Sequence, residues 1–246
     1  MTDTLRHYIG GERVASDAPT ESLNPSNTND VVAMVPNGGS AEVDAAVSAA
    51  KQAFPAWSES SPEVRSDLLD KVGSTIIARS ADIGRLLARE EGKTLPEGIG
   101  ETVRAGRIFK YFAGEALRRH GQNLESTRRG VEIQTYRQAV GVFGLVTPWN
   151  FPIAIPAWKA APALAFGNTV VIKPAGPTPA TASVLADIMQ ECGAPAGVFN
   201  MLFGRGAMGD ALIKHKDVDG VSFTGSQGVG AQVAAAAVAR QARVQL

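Results

Sequence analysis

Apolar and polar positions follow three rhythms along the 246-residue chain. In the first forty residues, short apolar runs such as "VVAMV" are separated by Gly, Pro, Asn and Ser, the pattern of strands and turns. A helical rhythm follows. Ser40 can cap "AEVDAAVSAAKQAF". Ser61-Pro62 pairs a cap with proline at the first helical position, and from there to about Lys71 the spacing of Val64, Leu68, Leu69 and Val72 is helical. Ser80 can cap "ADIGRLLAREEG", and a longer helix is predicted from Glu97 to Arg119. These amphipathic helices form a layer that packs on the rest of the fold.

Residues 121–140, "GQNLESTRRGVEIQTYRQAV", break that pattern, because "VEIQTYRQAV" alternates as a half-solvated strand does. They are predicted to form a β-hairpin arm. It either leaves the domain to pair with another subunit or lies flat as an ordinary surface hairpin; the pattern suits both.

From Gly141 the rhythm becomes β-α-β. The strands are "GVFGLV", "NTVVIK", "GVFNML", "GVSFT" and "RVQL". They lack polar alternation and are separated by helical stretches, which argues for an α/β fold with a Rossmann-like parallel sheet covered on both faces. Ligands of such sheets bind at the carboxyl ends of the strands. Those ends carry "TPWN", "KPAGPTP", "FGRGAMG" and "TGSQGVG".

Composition narrows the classes. Lys+Arg and Asp+Glu both number 24, so no net field favours nucleic acid or an anionic membrane. No apolar run reaches the length of a membrane span. The start, "MTDTLRHYIGGERV", has no signal-peptide core and reads as cytoplasmic. The single cysteine, Cys192, excludes an internal disulfide and a cysteine-based zinc site. His7, His120 and His215 have no metal-ligand spacing and suit surface or capping roles.

Four candidate features remain. "GRGAMG" (Gly204, Gly206, Gly209) is a literal G-x-G-x-x-G between strand and helix, but the acidic residue expected about 20 positions on is missing. It is either a pyrophosphate cradle or a tight turn beside a ligand. "FTGSQGVG" places Gly225 and Ser226 at a helix N-terminus, where free N–H groups favour a phosphate or where the two simply turn and cap. Lys173, ending a strand, either faces the ligand crevice or is a solvated loop lysine. Cys192 sits at a helix C-terminus, a place that disfavours a thiolate, so its role reads as structural rather than nucleophilic.

In order and spacing, "GVFGLVTPWNFP", "KAAPALAFGNTVVIKPA", "GAPAGVFNML" and "DVDGVSFTGSQGVG" resemble the aldehyde dehydrogenase superfamily, as does "NPSN…AAVSAAKQAFPAW" near the start. Through "GEALRRHGQNLESTRRGVEIQTYRQAVGVFGLVTPWNFPIAIPAWK" the likeness is greatest to 2,5-dioxovalerate (α-ketoglutaric semialdehyde) dehydrogenases. The resemblance implies that Asn150 is the oxyanion donor to a thiohemiacetal formed by a cysteine elsewhere. It implies that Thr147 and Trp149 lie beside the cofactor and that Lys173 reaches the adenosine ribose. Gly206 and Ala207 would flank the adenine, so "GRGAMG" would border that ring rather than cradle phosphate. Phe223, Gly225, Ser226 and Val229 would line the pyrophosphate and nicotinamide side. The hairpin of residues 121–140 would belong to an oligomerisation arm of a homo-oligomer.

Two departures from the family pattern follow. Its "KPAE" glutamate, which holds the ribose of NAD, is replaced by Gly176, so NADP fits as well as NAD. The chain also stops at Leu246, before the general-base glutamate and the nucleophilic cysteine of the family pattern. The expectation is an NAD(P)-binding domain from residues 1–120 and 141–246, an arm at 121–140 and no catalytic domain. The parent enzyme would oxidise an aldehyde substrate, with this chain inactive alone. A stand-alone dinucleotide-binding module, or a non-catalytic assembly module, is the alternative.

Overall fold

The computed structural model describes residues 3–16, 19–118 and 121–246. His120 and the expected helix end at Arg119 lie outside the described residues. Five strands lead the chain: β1 (Asp3–Thr4), β2 (His7–Ile9), β3 (Glu12–Val14), β4 (Thr20–Asn24) and β5 (Asn27–Val35). Four helices follow: α1 (Ser40–Glu59), α2 (Pro62–Ala78), α3 (Ser80–Glu91) and α4 (Leu95–Ala116). A hairpin of β6 (Asn123–Glu125) and β7 (Glu132–Gln134) leads into an alternating run. That run is β8 (Val142–Val146), α5 (Ala154–Ala165), β9 (Thr169–Lys173), α6 (Pro179–Glu191), β10 (Phe199–Met201), α7 (Gly206–Lys214), β11 (Gly220–Phe223), α8 (Gln227–Ala239) and β12 (Arg243–Gln245).

The central sheet has the order β12-β11-β8-β9-β10-β2-β3. Its first five strands are parallel, as the apolar runs predict. The amino-terminal strands extend it, because β2 pairs antiparallel with β10 through Met201 and Tyr8. The expectation of strands covered on both faces fails at β12, whose three residues are all exposed at the sheet edge. His7, expected in a surface or capping role, is instead fully buried. The imidazole of His7 accepts a hydrogen bond from Phe203 N at 3.1 Å and stacks on the Phe203 ring, and burial pushes its pKa down.

The helical layer has local causes. Ser61 caps α2 by accepting from Val64 N, with Pro62 at the first position. The helix runs on past Lys71 to Ala78, and Val64 faces solvent rather than the core. Ser40 and Ser80 turn out to be first helical residues instead of caps, with Gly39 and Arg79 before them. α4 begins at Leu95, two residues earlier than expected, behind a Thr94 cap held by the Glu97 carboxylate. α2 and α4 cross at Gly73 and Gly106: a Cβ on Gly73 would lie 2.6 Å from Gly106 O, so only glycine allows this approach. Leu69, Ile76, Leu87 and Phe109 fill the layer with no solvent exposure. Each such side chain contributes about 1.5–3 kcal/mol of transfer free energy.

The hairpin β6–β7 is exposed at every position, and only residues 132–134 of the alternating stretch form a strand. Among the described residues no helix is long and apolar enough to cross a membrane, and no group of three or more His, Cys, Asp or Glu could hold a metal.

Candidate functional site

Strand register sets the site. Val146 pairs with Lys173 on one side and with Phe223 on the other, so the carboxyl ends of β8, β9 and β11 align. A cavity of about 390 Å³ opens there. Lys173, Gly206, Ala207, Phe223 and Val229 line it together, so five sequence-predicted positions meet in one place. Lys173 is buried, not a solvated loop residue. Its ammonium donates to Pro174 O at 3.0 Å, and burial pushes its pKa down. Among the described residues no carboxylate holds it, so it keeps donor capacity for a ligand oxygen.

α7 and α8 both begin at this end of the sheet, and neither has a side-chain cap bond. Ser226 occupies the cap position of α8, but its hydroxyl makes no cap bond. The first N–H groups of α8 therefore stay free for an anion, and the first turn carries no acidic side chain. A Cβ at Gly225 would lie 2.5 Å from the Phe223 ring, so this turn needs glycine for close packing. Positions 206 and 228 are open, with nothing within 4 Å of an added Cβ. Thr147 is buried at the end of β8, and its hydroxyl has no partner in the structure. These features fit a dinucleotide: open floor, free helix N–H groups, a cation and an orphaned hydroxyl. Trp149 and Gly176 lie apart from this cavity and share a neighbouring one of about 440 Å³. Thr178 Oγ1 donates to Trp149 O at 3.4 Å and ties the two loops.

Asn150 belongs to neither cavity. It sits exposed in the loop between Pro148 and Pro152, and its carboxamide makes no hydrogen bond among the described residues. The backbone around it, by contrast, is held tightly. Lys93 Nζ donates to Asn150 O at 2.5 Å and to Glu101 Oε2 at 2.6 Å, and it lies over the Phe151 ring. Glu101 Oε1 accepts from Ile153 N and Ala154 N, both at 3.2 Å, and so caps α5. A rigid backbone with a free amide donor is an arrangement suited to stabilising developing negative charge.

Sequence reasoning missed Lys93 and Glu101, whose partners lie about fifty residues away. It also missed Lys159. That residue is buried in α5, its ammonium donating to Ser222 Oγ at 2.7 Å and Gln245 Oε1 at 3.4 Å. Burial lowers its pKa to about 8. The signal was available: Lys159 is the one charge in the apolar helix "AIPAWKAAPALA".

The model of the aldehyde dehydrogenase family matches residues 13–246. The chain belongs to that family. It is 42% identical to the α-ketoglutaric semialdehyde dehydrogenase of Bacillus subtilis (strain 168), over 99% of this chain and 51% of the relative. It is 42% identical to the 2-aminomuconic semialdehyde dehydrogenase of Danio rerio, over 90% of this chain and 46% of that protein. A crystal structure of betaine aldehyde dehydrogenase from Staphylococcus aureus in complex with NAD+ superposes with a TM-score of 0.93 at 34% identity, over 97% of this chain and 48% of that one. The chain spans about half the length of the relatives it matches.

Against the chemistry of an aldehyde dehydrogenase, the placement of Cys192 is informative. It closes α6, is buried in the main core cluster, and its sulfur lies 3.6 Å from Thr75 Oγ1. Asn150 and the strand ends are elsewhere.

Proposed function

We propose that this chain is the cofactor-binding part of an NAD(P)-dependent aldehyde dehydrogenase that oxidises a semialdehyde such as 2,5-dioxovalerate to the carboxylate. The observation that carries the reading is the single cavity at the aligned ends of β8, β9 and β11, which gathers Lys173, Gly206, Ala207, Phe223 and Val229. The names of the semialdehyde dehydrogenases it resembles support the substrate class. The bound dinucleotide would supply the hydride acceptor. Lys173 and Thr147 would hold its hydroxyls, and the free N–H groups of α8 would hold its phosphates. Asn150 would donate its amide N–H to the oxyanion of the substrate adduct; loss of such a donor typically costs about 100- to 1000-fold in rate. The arm at residues 121–140 would pair with another copy in a homo-oligomer.

By itself the chain turns over no aldehyde, because its one thiol is buried away from Asn150. Calorimetry with NAD and NADP tests the binding role: the chain binds, and Lys173→Ala weakens binding. Equal affinities in the two proteins would count against the cavity. Incubation with either dinucleotide and a panel of aldehydes tests the rest. Steady cofactor reduction that vanishes in Cys192→Ala would overturn it.

A further inference from the structure

A cavity of about 430 Å³ lies where β1, β3, β5, α3 and α6 meet. It shares no lining residue with the crevice at the strand ends or with the cavity of Trp149 and Gly176. Its size falls within the range of about 300–1,000 Å³ usual for small-molecule sites. The floor is apolar. Val32, Ala33 and Ala180 form a small buried cluster of their own, with Leu5 and Leu86 packed against it. All five line the cavity, and Val184 adds to the wall. An apolar body that displaces water from such a floor is favoured in proportion to the area it covers.

The same cavity gathers three guanidiniums, those of Arg6, Arg13 and Arg89. Two are held in fixed orientation by carboxylates. Arg89 gives Nε and one terminal nitrogen to Asp30, at 2.9 and 2.5 Å, and its other terminal nitrogen has no acceptor among the described residues. Arg13 gives one terminal nitrogen to Asp187 and lies 4.9 Å from the centre of the Tyr8 ring, which leaves its remaining N–H groups free among the described residues. Arg6 is exposed and makes no ion pair among the described residues. Donors already oriented by one partner lose little freedom on meeting a second. The planar guanidinium edge matches a carboxylate in two-point fashion.

Charge decides the class of anion. Asp30 and Asp187 offset two of the three guanidiniums, so one positive charge is left over. A monoanion balances it, whereas a dianion overshoots it and meets repulsion from Asp187, which also lines the cavity. We propose that this cavity binds a monocarboxylate with an apolar chain of medium length. Its head would lie among Arg6, Arg13 and Arg89, and its chain on the floor of Val32, Ala33 and Ala180. The site is separate from the cofactor crevice and does not depend on the reading given above.

The test uses the 246-residue chain, labelled with ¹⁵N, and octanoate as the probe. The Arg89 Nε–H resonance, identified through Arg89→Lys, is followed during titration. Octanoate shifts it saturably. At the same concentrations octanamide, which has the chain without the charge, and acetate, which has the charge without the chain, leave it in place. Arg6→Gln weakens octanoate binding about tenfold, as loss of one charge-assisted contact at a partly exposed site requires. Val184→Phe fills the cavity and abolishes binding with every charge retained, and added salt weakens the wild type. The Trp57 indole, buried in the core, reports that each variant stays folded. A silent Arg89 resonance with octanoate, or an equal response to octanamide or acetate, overturns the proposal. So do folded Arg6→Gln and Val184→Phe variants with unchanged affinity. Saturation with NAD leaves octanoate affinity as it was; a fall would put the carboxylate in the strand-end crevice and overturn the proposal. Absence of NAD binding, with the octanoate response intact, removes the cofactor role alone.

Discussion

Lys159 is a buried cation with only neutral oxygens around it, and replacing it with methionine should stabilise the protein. Its ammonium faces Ser222 and Gln245, and desolvation alone lowers its pKa to about 8 from the ordinary 10.5. That gap corresponds to about 3 kcal/mol at about 1.4 kcal/mol per pH unit, an upper figure because local opening would relieve part of it. The sign follows from proton binding. Between about pH 8 and 10.5 the unfolded chain holds this proton and the folded chain does not, so stability rises with pH across that window. Below about 8 both states are protonated and the full cost of the buried charge persists. Lys159→Met keeps the volume of the side-chain stem and removes the charge. Ser222 retains its hydrogen bond with Gln245. Urea midpoints at about pH 7 should therefore favour the variant by roughly 2–3 kcal/mol, with the difference shrinking towards about pH 10. A variant that is less stable at neutral pH, with a difference flat through that range, would refute the reasoning. It would mean that the ammonium is well solvated or well paired.

The other predictions concern the cofactor, the helix crossing and the surface. An added Cβ at Gly176 meets nothing within 4 Å, so Gly176→Glu should fold and shift preference from NADP towards NAD, and Lys173→Ala should weaken NADP more than NAD; calorimetry reads both. Gly73→Ala forces a Cβ to 2.6 Å from Gly106 O and should cost about 1–3 kcal/mol in urea denaturation, less the better helix propensity of alanine. Gly100→Ala, on open space in α4, should instead stabilise by up to about 1 kcal/mol, so equal signs would remove the crossing argument. The chain should self-associate in light scattering, because Tyr111, Trp149, Trp158 and Val238 are exposed and β12 offers an unpaired edge; a clean monomer at high concentration would count against this.

The parallel sheet was legible because its cause is local: "NTVVIK" carries Val170, Val171 and Ile172 in succession, and β9 and β11 are buried at every position. The clustering of Lys173, Phe223 and the glycine turns was legible for a related reason, since strand ends in such a sheet share one crevice. Cap positions slipped by one residue at Ser40 because a carboxylate replaced the hydroxyl: Glu42 reaches back to Gly39 N at 2.7 Å. His7 could not be read as buried. One imidazole in a three-residue strand gives no pattern, and the group it serves, Phe203 N, is 196 positions away.

What holds the site loops is least visible in the sequence and has a single physical logic. Two glutamates of the helical layer reach across to cap helices of the sheet. Glu90 of α3, almost fully buried, accepts from Ala180 N at 2.7 Å, Thr181 N at 2.6 Å and Ser22 Oγ at 3.0 Å. Glu101 of α4 does the same for α5 through Ile153 N and Ala154 N. Burial raises the pKa of Glu90, and its hydrogen bonds work against that rise. In both cases the carboxylate meets free N–H groups at the positive end of a helix, which offsets the cost of removing it from water. The loop in front of α5 carries Asn150, and the loop in front of α6 carries Gly176. A shift of the helical layer would therefore move both loops together. That layer thus fixes the backbone on either side of Asn150, through Lys93 and Glu101, while leaving its carboxamide free to donate.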